Sequence, residues 1–336
     1  MKALRTHAVG GADTLTLDEV EVPQLAKGQV LVDVKACAIN FPDTLMIRDL
    51  YQFKPERPYA PGGEIAGVIE AIGEGVEGWE VGDRVLAGIG NGGLAEKVCV
   101  PAGRMFAVPE GVPFEKAASL MMTYGTTIHG LKDRGHIKEG DVLLVLGAAG
   151  GVGLSAVELG KAYGARVVAA VSSEEKGEVA RKAGADEVVI YPKGEMDKAA
   201  SKELANAFKA ACGPEGANIV YDVVGGQYSE PALRAIAWEG RFLVVGFPAG
   251  IAKMPLNLTL LKSCDICGVF WGAFTAREPE RFRAQVDELF DLLKAGRIDP
   301  LISETFPLER GGEAIAKLEN RQAVGKLVVT MGSGSV

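Results

Sequence analysis

Residues 142–164 read VLLVLGAAGGVGLSAVELGKAYG, and the fold follows from how that stretch divides. Val142-Leu-Leu-Val-Leu146 is unbroken apolar sequence, the pattern of a parallel strand covered on both faces. A glycine-rich turn follows, Gly147-Ala-Ala-Gly-Gly-Val-Gly153, and then helix formers with an apolar face over residues 154–163. Strand, glycine turn and helix in this order cradle a dinucleotide pyrophosphate. Gly150 admits the phosphates to the backbone, Gly153 lets the helix lie against the strand, and the free N–H groups at the helix start attract the anion. Ala149, Gly150, Gly151 and Val152 are therefore candidate cofactor contacts. Ala148 stands where the first glycine of G-x-G-x-x-G belongs, so the turn alone also fits a glycine loop without a ligand. Its context decides: a strand at 166–171, a helix at 174–183 and a short strand at 187–190 complete a β-α-β-α-β unit.

The chain of 336 residues is 48% hydrophobic and 24% charged, a globular composition with length for two domains. A net charge of −8 argues against nucleic acid or an anionic membrane as partner. No apolar run has the length of a membrane span, and MKALRTHAVGG at the start has no apolar signal core; the expectation is a soluble, cytoplasmic protein. The five cysteines, Cys37, Cys99, Cys212, Cys264 and Cys267, are scattered. Cys264-Asp-Ile-Cys267 has no second pair to complete a metal site and runs into an apolar strand at 266–271. Gly332-Ser-Gly-Ser-Val336 reads as a loose tail.

Residues 1–110 alternate apolar and polar positions in short runs, at 15–20, 29–36, 66–72 and 83–87, with glycine and proline between them. Such strands build a partly open barrel, with one short helix at 42–49 after Asn40. From Phe114 the pattern turns helical, and further buried strands at 217–224, 240–246 and 266–271 extend the β-α-β unit into a doubly wound parallel sheet. A long amphipathic helix at 278–295, a short one at 314–320 and a strand at 326–330 close the chain. The run 266–270 reads as an apolar edge strand that needs a cover, and a homodimer would supply one.

Ala38-Ile-Asn-Phe-Pro-Asp43, Pro61-Gly-Gly-Glu-Ile-Ala-Gly67, Val81-Gly-Asp-Arg-Val85, Tyr124-Gly-Thr-Thr127 and the glycine turn occur in this order. Together they make the whole chain resemble the quinone oxidoreductase branch of the medium-chain dehydrogenase/reductase superfamily. The resemblance implies an α/β protein: a GroES-like, partly open β-barrel catalytic domain at 1–123 with 272–336, and a Rossmann doubly wound parallel-sheet cofactor domain at 124–271. Zinc-dependent members similar to this chain carry Cys where Asn40 stands and a His-Glu pair where Gly63-Glu64 stands, and a structural zinc would need four cysteines where only Cys99 is found. The three histidines, His7, His129 and His136, are isolated. A zinc-free reductase is expected.

The second strand ends in Val171-Ser-Ser-Glu-Glu-Lys176 rather than in the Asp or Glu that holds the ribose in NAD-specific folds. Ser172, Ser173 and Lys176 suit a 2′-phosphate, and the related reductases use a Tyr where Tyr191 stands; the cofactor expected is NADPH. Glu174 or Glu175 holding a ribose is the competing reading, and a solvated helix start is the plain one. The resemblance also sets Asn40, Thr127, Gly246, Phe247, Phe270, Trp271, Gly272 and Lys326 near the cofactor. Phe270 and Trp271 equally fit core or dimer packing, and Lys326 equally fits a surface position. Asn40 and Tyr51 are the candidate catalytic donors to a developing oxyanion, with Tyr59 beside them; Asp43 reads as a plain helix-start carboxylate, and Tyr51 also fits an ordinary loop tyrosine. The leading function is hydride transfer from NADPH to a quinone. Reduction of an enal, enone or enoyl-CoA double bond shares the same parts, and a cofactor-binding protein with little catalysis is the third reading. Arg48, Lys54 and Arg57 are the basic residues near Tyr51 on which an enoyl-CoA would rely.

Overall fold

In the computed structural model, which describes residues 1–332, Val142–Leu146 is an inner strand of a six-stranded parallel sheet. The order across the sheet is Glu187–Ile190, Arg166–Val171, Val142–Leu146, Ala217–Asp222, Ile236–Val244 and Asp265–Gly268. Numbered along the chain, that is 3-2-1-4-5-6, so the winding reverses beside Val142–Leu146, where sheets of this kind take their ligands. Leu143 to Leu146 are fully buried, which explains why the strand is written without a polar residue. The loose tail from Ser333 lies outside the described residues.

The helix after the glycine turn is Gly151–Ala162, three residues earlier than its first apolar position, because Gly151, Val152 and Gly153 form its first turn. Gly147 has φ +72°, and a Cβ on Gly153 would stand 2.1 Å from the Gly147 carbonyl oxygen. Helix and strand touch backbone to backbone there.

Around the other core runs a seven-stranded sheet with the path Ile302–Pro307, Lys326–Thr330, Gln29–Ala38, Glu64–Ile72, Arg84–Gly88 and Met105–Ala107. Gln29–Ala38 organises it. One edge pairs with Glu64–Ile72 along its length; the other is shared by Lys97–Pro101 and Lys326–Thr330. Val30, Val32 and Val34 are fully buried on one face, while Asp33 and Lys35 pair at 2.7 Å on the other. The end strands are not paired with each other among the described residues, which leaves the barrel partly open.

The chain divides into two compact units, Met1–Met122 with Pro300–Val336, and Thr123–Asp299. The first break falls beside the expected one, but the second lies well beyond Trp271. The helix Pro279–Lys294 is bound within the second unit: Gln285 Nε2 donates to Asp133 at 2.8 Å, and Glu288 takes Lys132 at 2.6 Å and the Tyr163 hydroxyl at 2.9 Å. The last strand of the parallel sheet also ends early, at Gly268. Phe270 precedes a helix, Trp271–Arg277, and Trp271 is held against Gly125 and edge-on to Phe282, with ring centroids 5.6 Å apart. The edge strand leaves Ile266 38% exposed, and Phe270 beyond it is 65% exposed.

Gly153→Ala is expected to cost about 1–3 kcal/mol, the usual penalty for forcing atoms into a filled contact. Urea unfolding checks it: the midpoint falls at unchanged m-value, whereas a wild-type midpoint would mean that helix and strand part freely.

Candidate active site

In the first unit, four polar residues meet in the interior. Asn40, at the end of the turn after Gln29–Ala38, precedes the helix Phe41–Met46; Glu64 opens its strand; Lys326 opens the strand Lys326–Thr330. Exposure is 6% for Asn40, 1% for Asp43 and Glu64, and 4% for Lys326. The Lys326 ammonium donates to Asn40 Oδ1 at 2.6 Å and to the Ile39 carbonyl at 3.2 Å, and lies 3.9 Å from Glu64 Oε2. Asn40 Nδ2 donates to Glu64 Oε2 at 3.0 Å and to the Ala38 carbonyl at 3.2 Å. Glu64 Oε1 accepts the Met122 N–H at 2.9 Å. An ammonium only donates and a carboxylate only accepts, so the Asn40 amide has one orientation here, with both amide protons engaged.

Asp43 accepts the Asn40 N–H at 2.7 Å and the Gly62 N–H at 3.1 Å, so it is a builder of the turn as expected for a helix-start carboxylate. Burial pushes its carboxyl up to about 6 from 3.8, against those two N–H groups and Lys326. Burial also raises Glu64, opposed first by Lys326, and lowers Lys326, opposed first by Glu64. Tyr51 is half-buried, its hydroxyl raised by burial and then by the Asp43 charge, and it makes no hydrogen bond to the described residues. The Tyr59 hydroxyl is buried with no partner among them.

In the second unit, a Cβ on Gly150 would find nothing nearer than the Gly147 oxygen at 3.7 Å, so the turn is open on that side. The first N–H groups of Gly151–Ala162 have no carbonyl ahead of them to bind, and the turn fits a pyrophosphate. Ser172 and Ser173 follow the strand Arg166–Val171, and Tyr191 follows its neighbour, its N–H donating to the Val171 carbonyl at 2.9 Å. Ser173 Oγ caps the helix Glu174–Lys182, accepting the Lys176 N–H at 3.4 Å. Burial lowers Lys176, and so does the charge of Lys193. Lys193 was not among the sequence-based candidates, although Tyr191-Pro-Lys193 directly after a strand is a readable signal.

Gly246 and Phe247 lie on the loop after Ile236–Val244, with Phe247 54% exposed. That loop is laced to the one after Ala217–Asp222 by Ala249 N–H to Val224 O at 2.9 Å and Gly226 N–H to Gly250 O at 2.7 Å. Asp222, buried and bonded to the Val224 and Gly225 N–H groups at 2.8 Å, anchors both; no sequence signal singled it out.

Burial bears on three of the residues read from the sequence. Thr127 is fully buried, bonded to Ser155 Oγ at 2.6 Å and the Tyr221 hydroxyl at 3.0 Å, and joins two helices to the sheet. Trp271 has its indole nitrogen enclosed against Gly125, the packing alternative. Lys326 is not a surface residue.

Comparison with known proteins gives two family matches: the alcohol dehydrogenase GroES-like domain over residues 26–110, and the zinc-binding dehydrogenase family over residues 151–291. A quinone oxidoreductase-like protein 2 homolog of Nematostella vectensis is 36% identical, over 95% of this chain and 86% of its own. Among solved structures, a mycobacterial protein complexed with NADPH has a TM-score of 0.89 at 32% identity, covering 98% of this chain and 100% of its own. The quinone oxidoreductase of Escherichia coli complexed with NADPH has a TM-score of 0.88 at 27% identity, with the same coverage. Zinc does not fit the residues here. Among the described residues no three His, Cys, Asp or Glu side chains are grouped to hold a metal ion, and the oxygens of Asn40 and Glu64 face an ammonium.

Between about pH 4 and 6 the folded protein keeps a proton on Asp43 that the unfolded chain releases, so Asp43 lowers stability as pH rises through that window. A shift of roughly two units is worth about 3 kcal/mol. Asp43→Asn is expected to flatten that slope, read from urea midpoints at about pH 4.5 and about pH 6.5; parallel profiles for variant and wild type would refute it.

Proposed function

We propose, for a chain that belongs to the quinone oxidoreductase branch of the medium-chain dehydrogenase/reductase superfamily, that it is an NADPH-dependent reductase of conjugated carbonyl acceptors, with a quinone as the leading acceptor. The observation that carries the cofactor is the placement of Ser172, Ser173 and Tyr191 at the ends of the neighbouring strands Arg166–Val171 and Glu187–Ile190, with Lys176 in the helix that Ser173 caps. Two similar solved proteins are complexes with NADPH, which supports the same assignment.

NADPH supplies the hydride. Gly150, Gly151 and Val152 hold the pyrophosphate at the helix start, and Lys176, Lys193 and the two serines take the 2′-phosphate. Gly246 and Phe247 line the loop that receives the nicotinamide end. In the first unit Asn40 orients rather than donates, because both of its amide protons are engaged. Tyr51, whose hydroxyl makes no hydrogen bond to the described residues, is placed to hydrogen-bond the acceptor oxygen as charge develops on it, with Tyr59 as the second candidate. No step passes through a metal.

The free Tyr51 hydroxyl also favours the second reading, reduction of an enone or enoyl thioester, where a proton must be delivered within the turnover. NADPH oxidation with a simple quinone and a small enone, side by side and with NADH as control, separates the two. Turnover of the quinone alone supports the leading reading. Turnover of the enone with recovery of saturated product replaces it, and Tyr51→Phe is then expected to lose about 10²-fold in kcat. No oxidation with either acceptor overturns both.

Lys176→Glu is expected to raise KM for NADPH by about 10–100-fold, the worth of one hydrogen bond to a charged group, while leaving NADH within about 2-fold. Equal effects on the two cofactors would remove the 2′-phosphate assignment.

A further inference from the structure

We propose that Lys326 is a positioning residue whose ammonium is the site's own cation and sets the Asn40 amide between itself and Glu64. The backbone of Lys326 is fixed on both sides, its N–H donating to the Leu301 carbonyl at 2.8 Å and the next carbonyl, that of Leu327, accepting the Ile39 N–H at 2.9 Å. Its side chain is 5% exposed and runs inward to a shell of oxygens: Asn40 Oδ1, the Ile39 carbonyl and the Glu64 carboxylate. Its charge opposes the effect of burial on the carboxyls of Glu64 and Asp43. A divalent ion placed on the same oxygens would sit against a charge of its own sign. The final strand thus threads a lysine, rather than leaving room for a metal ion, among the oxygens of Asn40, Ile39 and Glu64.

What the ammonium positions is the Asn40 amide. Lys326 holds Oδ1 and Glu64 holds Nδ2, so turning the amide over would set NH2 against the ammonium and oxygen against the carboxylate. With the charge gone, Asn40 Oδ1 loses its donor, the amide is held only through Nδ2 by Glu64 and the Ala38 carbonyl, and Glu64 is left buried without a counter-ion.

The test is chemical rescue of Lys326→Ala with n-propylammonium, which restores stem and charge, against n-propanol, which restores stem alone. The melting temperature is read first, because it does not depend on which acceptor the enzyme takes. The expected result is a rise of several degrees with the ammonium ion, absent with the alcohol and absent in the wild type, accompanied by at least a ~10-fold recovery of turnover. Equal rescue by the alcohol, or none by either, overturns the proposal. Should Lys326→Ala fail to fold, Lys326→Met and the double variant Lys326→Met/Glu64→Gln carry the same question. Charge pairing predicts that the single variant melts lower and that removing the carboxylate as well restores most of the loss. A single variant that melts like the wild type overturns the proposal, as does a zinc-dependent rise in the wild-type melting temperature that Glu64→Gln abolishes.

Discussion

A lysine ammonium 2.6 Å from an asparagine oxygen, inside a barrel, is the contact on which the first unit's architecture turns. Asn40 and Lys326 are 286 residues apart. The bond requires the strand Lys326–Thr330 to lie beside Gln29–Ala38 and the strand from Glu64 to bring its carboxylate to the same spot. A buried charge without its partner is costly, so three distant segments are fixed relative to one another by one electrostatic demand. The short helix Phe41–Met46, and beyond it Tyr51, hang from the Asn40 turn and inherit that placement.

The second unit rests on a steric demand of another kind. Its glycine turn works because backbone, not side chain, occupies the contact between Gly147 and Gly153, which brings the helix start over the end of the strand. Placement of the serines, Lys176 and Lys193 then follows from the order of strands, since Arg166–Val171 and Glu187–Ile190 are neighbours and end together. The loop carrying Phe247 is held by the Asp222 backbone carbonyl of the adjacent strand, which accepts the Val245 and Gly246 N–H groups.

Strands covered on both faces are spelled as apolar runs, and the parallel sheet was legible for that reason: Val142–Leu146 and Arg166–Val171 lie where the residues place them. The glycine turn was legible because its glycines are needed by geometry. Lys326 was not, since a lysine ahead of a strand looks the same whether it points to water or into the core; only Asn40 and Glu64, far along the chain, distinguish the two. Thr127, set near the cofactor by the resemblance, has its hydroxyl bonded to Ser155 and Tyr221, two residues that spacing along the chain does not connect to it. The end of the second unit was misplaced because an amphipathic helix such as Pro279–Lys294 does not say which core its apolar face joins. Asp133, which binds it, could not be connected to Gln285 from spacing alone.

The shared edge of Gln29–Ala38 has a consequence for vectorial synthesis. The second unit is one continuous stretch, Thr123–Asp299, and all its partners exist once that stretch has been made. The first unit is interrupted by it. Ala36, Cys37 and Ala38 wait for Thr330, Val329 and Val328, and the Glu64 carboxylate waits for its cation. A nascent chain therefore carries a folded centre between an unfinished beginning and an end not yet translated. The edge of Gln29–Ala38 is completed only when the strand Lys326–Thr330 arrives, and a chain cut short ahead of Lys326 would keep an unpaired strand edge, the template on which aggregation grows.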